Sequence, residues 1–235
     1  MSAEQRPVNI VQRSLWTIDD VLRGRVENWS GAEKRIAIFR IVSMMLLCGG
    51  FYGAVMGSFS QSWGEVRGLQ MLYSATKVPL LLLVTFAISL PSFFVANTLL
   101  GLRTDFGQAI RAVMAAQAAL TIVLAGLAPL TLFVYASGMD YDQALAFNAL
   151  IFAVASFSVQ ILLWRLYRPL IRKDSRHRLM IMIWVVIYGF VGIQMGWVLR
   201  PFIGTLDQPT TFFREGAWGN AYLVVFELAK RLLTD

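Results

Sequence analysis

Residues 77–100, KVPLLLLVTFAISLPSFFVANTLL, run through GLRTDFGQ (101–108) into AIRAVMAAQAALTIVLAGLAPLTLFV (109–134). Two apolar runs, each longer than the roughly 20 helical residues that cross a bilayer, flank a junction too short to hold a soluble domain. Gly101 is placed to take a left-handed helix-ending conformation. Asp105 and Gln108 have the spacing of a capping box, which predicts a third helix starting near Phe106. Ala112, Ala115, Ala116, Ala118, Ala119, Ala125 and Gly126 give that helix small residues on most faces. This predicts a helix surrounded by protein.

Composition extends the reading to the whole chain. Of 235 residues, 57% are hydrophobic and 15% charged, and the mean hydropathy is +0.60. Soluble domains are less apolar and carry about 25% charge. Five spans are predicted, at about 36–58, 78–100, 108–134, 144–166 and 179–203. The fold class expected is therefore all-α, a polytopic bundle of five transmembrane helices with amphipathic helices at both ends. In residues 8–29, Val8, Val11, Leu15, Ile18, Leu22, Val26 and Trp29 recur in steps of three or four. Such a stripe reads as an interfacial helix, or as one packed on the protein's own loops. Residues 1–35 form an N-terminal segment, 36–204 the membrane domain, and 205–235 a loop and partly amphipathic tail.

Lys and Arg beside each span set the orientation. The N-terminal segment with Arg40 just beyond it carries seven, the stretch 60–77 two, the junction Arg103 and Arg111, and the 137–143 loop none. Six follow the fourth span: Arg165, Arg168, Arg172, Lys173, Arg176 and Arg178. A cytoplasmic N-terminus and an outside C-terminus are predicted. The layout of a cleaved signal peptide is missing from residues 1–7, so the first span is expected to start insertion. The net charge of +7 lies beside apolar runs and reads as topology signal and anionic-lipid contact, with docking of an acidic partner as the alternative. Nucleic acid is not expected as a partner, because no aromatic-interleaved basic surface accompanies the charge.

Gly49, Gly53 and Gly57 share one face of the first span, and Gly192 and Gly196 one face of the fifth. Stripes without side chains admit a neighbouring helix closely, either within the chain or from a second copy. Pro79 is read as the first turn of the second span, where a missing N–H costs little. Asn97, Gln117, Asn148, Gln160 and Gln194 are amides at membrane depth. They bond to neighbouring helices or, in the sharper reading, line a path for solute. Arg200, after an apolar run and before Pro201, either reaches for the interface or binds a lipid phosphate or partner carboxylate.

No catalytic constellation emerges. With one histidine (His177) and one cysteine (Cys48), neither a His-rich nor a Cys-rich metal site is available. The spans lack paired carboxylates, which disfavours proton coupling. Phosphate loops, HExxH helices and GxSxG elbows are missing. No cofactor is expected and no enzyme activity is predicted.

One resemblance adds to this. Asn97-Thr98-Leu99-Leu100-Gly101, Asp105-Phe106-Gly107-Gln108, Ala109-Ile110-Arg111 and Leu127-Ala128-Pro129-Leu130 resemble the core of the Yip family of five-span membrane proteins, which has bacterial members. The resemblance implies five spans and a cytoplasmic N-terminus, and transfers no catalytic residue. The long N-terminal segment and the tail after Arg200 depart from a minimal Yip domain. The expected protein is a scaffold, anchor or accessory subunit of a membrane assembly, associated with other subunits or with itself. Its expected place is the inner membrane of a bacterium. The alternative is a small oligomeric channel or transporter, with Gln117, Gln160 and Gln194 along its path.

Overall fold

The computed structural model describes residues 32–59, 68–204, 209–214 and 216–223, with side chains from residue 38. The described chain is all-α. Its five long helices are α1 (Ala32–Gly57), α2 (Gly68–Leu99), α3 (Phe106–Ala136), α4 (Tyr141–Lys173) and α5 (Arg176–Val198). All five are long and apolar enough to cross a membrane. Hydrocarbon offers no partner to a peptide group, so each helix satisfies its own backbone internally. The architecture is that of a multi-pass integral membrane protein. The amphipathic N-terminal helix and most of the tail expected from sequence lie outside the described residues.

Short turns make α2–α3, α3–α4 and α4–α5 antiparallel neighbours in sequence. At one end of the bundle, here the junction end, Gly101 takes φ +73° and a single 3-10 turn, Arg103–Asp105, leads into α3. The turn from α4 to α5 lies at the same end. The turn between α3 and α4, the start of α2 and the end of α5 make up the far end.

Helices α2 and α3 nevertheless touch little beyond their junction. Helix α1 packs along both, α5 packs on α2 and α4 on α3, and α4 meets α5 only lightly. The hairpin is thus a forked frame with α1 packed against both arms. From Ala112 to Thr121 every residue of α3 except Met114 is buried, as its small side chains predict. Trp184 of α5 anchors the other side, its ring 4.9 Å from Phe93 and 5.8 Å from Phe86 of α2.

The glycine stripe of α1 explains how it fits. A Cβ on Gly53 would lie 2.2 Å from the Ser74 carbonyl oxygen, and one on Gly57 2.7 Å from that of Gln70. A Cβ on Gly49 would sit 3.4 Å from the Pro79 side chain. Backbone meets backbone between α1 and α2, within one chain. The two glycines of α5 behave differently. A Cβ on Gly192 would make ordinary contact with Thr85 at 3.6 Å, and one on Gly196 would meet nothing within 4 Å. That pair makes no close approach to another helix among the described residues, because the α5 face bearing Gly196 has no neighbour there.

Boundaries also differ from the hydropathy reading. Helix α2 begins at Gly68 rather than near Val78, so Pro79 lies well inside it. Helix α4 continues through Pro169 to Lys173, so much of the basic stretch is helix rather than loop. Hydropathy marks where lipid would be, and a helix does not end there.

Gly53→Ala should lower the stability of the purified protein by about 1–3 kcal/mol, because the added methyl meets backbone rather than a movable side chain. Gly196→Ala should leave thermal unfolding in detergent unchanged. Equal behaviour of the two variants would contradict the packing of α1 on α2.

Candidate functional site

Polar side chains gather in four places, each joining helices distant in sequence. The first ties three helices. Tyr52 of α1 donates to Asn148 Oδ1 of α4 at 2.9 Å, and Asn148 Nδ2 donates to Tyr135 of α3 at 2.6 Å and to the Ala144 carbonyl at 2.7 Å. The Tyr135 hydroxyl in turn reaches the Met56 carbonyl of α1 at 3.4 Å. Both protons and the carbonyl of Asn148 are used, which is what an amide in an apolar interior requires. Phe59 packs edge-on against Tyr135 at 5.1 Å and closes this cluster.

A second contact joins α5 to α3, with Tyr188 donating to Gln117 Oε1 at 2.7 Å. Gln194 makes the third. Its Nε2 donates to the Gly219 carbonyl at 3.0 Å, and its Oε1 accepts from the Ala221 N–H at 3.1 Å. These bonds dock the described part of the tail on α5, where the Tyr222 ring stacks on Phe190 at 4.4 Å. Three of the five intramembrane amides therefore bond within the chain. Asn97 is fully buried with both amide atoms unpartnered, and Gln160 Oε1 is likewise unpartnered.

The junction end is closed by ions. Asp105 pairs with Lys173 through one oxygen, and its other oxygen lies 3.3 Å from His177 Nε2. The carboxylate is thus spent on α4 and α5, and it makes no cap hydrogen bond to α3. The expected capping box at Asp105–Gln108 does not form. The same spacing recurs in Asp140–Gln143, where the box does form. The Gln143 N–H donates to Asp140 Oδ1 at 2.8 Å, and the Asp140 N–H donates to Gln143 Oε1 at 3.3 Å. Arg176 donates to the Leu100 carbonyl at 2.7 Å and grips Asp174. Its hydrogen bonds hold the Asp174 carboxyl down at about 2. Of the basic stretch, Lys173 and Arg176 pair with carboxylates, while Arg165, Arg168, Arg172 and Arg178 are exposed and pair with none among the described residues.

The far end is the fourth place. Lys77 is completely buried. Its ammonium donates to the Pro201 carbonyl at 2.6 Å and lies 4.9 Å from the centre of the Phe212 ring. One and two helical turns earlier, Ser74 and Gln70 both donate to the Phe202 carbonyl. The chain leaving α5 is thus tied to the buried face of α2. The Arg200 guanidinium carbon lies over Trp197, 3.3 Å from its ring centre. Burial, and then the charge of Arg214, pull the Arg200 guanidinium below its ordinary range.

Lys77 and His177 were not singled out from sequence as buried, because both adjoin polar residues. Helical spacing carries the missing signal. Gln70, Ser74, Lys77 and Thr85 lie along the buried face of α2, and His177, Met180, Ile181 and Trp184 along that of α5. Among the described residues no three His, Cys, Asp or Glu side chains gather as metal ligands would. What these clusters do chemically is hydrogen-bond, pair ions and concentrate positive charge.

No protein-family model, curated protein or solved structure matches the chain. The fold and the polar clusters therefore define a class and no narrower identity: an all-α chain with five helices able to span a membrane.

Asn148→Leu should cost about 1–2 kcal/mol, because it leaves the hydroxyls of Tyr52 and Tyr135 without their shared partner. Asp105→Ala strands a buried histidine and frees Lys173. It should cost about 1–3 kcal/mol and speed proteolysis at the α4–α5 turn. Thermal melts and limited proteolysis of the detergent-solubilised variants check both, and unchanged melting of either would contradict the bonding described.

Proposed function

We propose that this chain is a non-enzymatic scaffold, anchor or accessory subunit of a larger membrane assembly. Its place is the inner membrane of a bacterium, with the N-terminus in the cytoplasm and the C-terminus outside. One observation carries the reading. Gln117, Asn148 and Gln194 hold helices and tail together rather than facing a common path. Side chains committed in this way are not free to replace a solute's hydration shell.

In this orientation the junction end faces the cytoplasm, and Arg165, Arg168, Arg172 and Arg178 lie there exposed. They contact anionic lipid or an acidic partner. The layout also agrees with the resemblance of residues 97–130 to Yip-like proteins. A second reading, an oligomeric channel, draws on the unpartnered buried amide atoms of Gln160 and Asn97, whose partner would then be water.

Purification from native membranes in mild detergent should return the chain in stoichiometric association with another membrane subunit or with itself. Recovery of the monomer alone would overturn the assembly reading. Ion or solute flux in liposomes that Gln117→Leu abolishes would replace it with the channel.

A further inference from the structure

Among the described residues, the far end gathers positive charge and no carboxylate pairs with it. The Lys77 ammonium, buried in α2, has one hydrogen-bond acceptor among the described residues, the Pro201 carbonyl. Arg200 precedes that proline, and its backbone carbonyl accepts from the Arg214 N–H at 3.3 Å. Phe212, two residues before Arg214, covers the ammonium. The backbones of Arg200 and Arg214 are thus joined beside the proline that holds the Lys77 ammonium. Among the described residues none of the three cations forms a salt bridge. The Arg200 Nε and Trp197 Nε1 donors are buried with no acceptor.

Such an arrangement is costly as it stands. A buried ammonium loses hydration that one carbonyl and an aromatic face restore only in part, and like charges nearby add repulsion. An oxyanion relieves both terms, and guanidinium groups match the oxygens of phosphate in geometry as well as charge. Arg200 and Arg214 are half-exposed while Lys77 is not, so the guanidinium groups are within reach from outside and the ammonium is not.

We propose that this end of the bundle binds a phosphate group, with Arg200 and Arg214 as direct contacts and Lys77 as the fixed charge behind them. The phosphate belongs either to a lipid headgroup or to a free anion. The chemistry is common to both, and the site lies where the end of α5 would meet a headgroup layer.

Thermal unfolding of the full chain in neutral detergent tests this. The probes are inorganic phosphate and short-chain phosphatidylglycerol, against sodium chloride at matched ionic strength. At least one phosphate probe should raise the melting temperature where chloride does not. In Arg214→Gln the midpoint of that response should move to about tenfold higher concentration. A response to the lipid alone identifies a headgroup site, and a response to inorganic phosphate identifies a free-anion site. An equal rise with chloride, no rise with either probe, or an unchanged midpoint in Arg214→Gln would overturn the proposal. If Arg214→Gln elutes as an aggregate, Arg200→Gln makes the same comparison, and Lys77 stays unaltered because its loss also unfastens Pro201.

Discussion

The contact of α1 with α2 sets the spacing of the whole bundle. At Gly53 and Gly57 there is no room for even a methyl group between the two backbones. In lipid there is little hydrophobic drive for helices to associate, so dispersion at short range and hydrogen bonds must do the work. The close approach brings Tyr52 and Met56 of α1 to where Asn148 and Tyr135 reach them. It also lets α1 lie against both arms of the fork, each of which carries a further helix. A side chain on the stripe would push α1 outward and separate these hydrogen-bond partners together.

The two ends of the bundle are fastened by different chemistry. The junction end uses ion pairs between short turns, with Asp105 shared by Lys173 and His177. The far end uses carbonyls of the chain after α5 as acceptors for Gln70, Ser74 and Lys77. Carboxylates serve the first because several basic residues crowd there and the two oxygens of one carboxylate can each meet a different partner. Backbone oxygens serve the second because the buried face of α2 has donors and the chain leaving α5 offers carbonyls at its turn.

The number and class of the helices were legible because length and apolarity repeat five times along the chain. Their ends were not. Residues 68–76 mix polar and apolar types and read as a connection. They are helix because Gln70 and Ser74 point inward to acceptors on a segment more than 120 residues away. Glycine stripes were visible in α1 and α5, yet spacing alone does not say which face has a neighbour, and Gly196 has none within contact distance. The two Asp-x-x-Gln stretches make the same point. Asp140 caps its helix because no cation competes for it, whereas Asp105 lies beside Lys173 and His177. Local pattern specifies what a residue can do, and tertiary surroundings decide which option is taken.

The bond between Lys77 and Pro201 has a bearing on biogenesis. The two residues are 124 positions apart, so a ribosome releases α2 into the membrane long before the acceptor exists. Until then the ammonium must stay hydrated, which its long stem allows only near an interface. The interface at the far end keeps Lys77 hydrated until then, and its tie to Pro201 forms only after the fifth helix and the first residues beyond it have been made. The tie thus joins an early-made helix to a late-made turn, and α2 gains its far-end fastening after the other four helices exist.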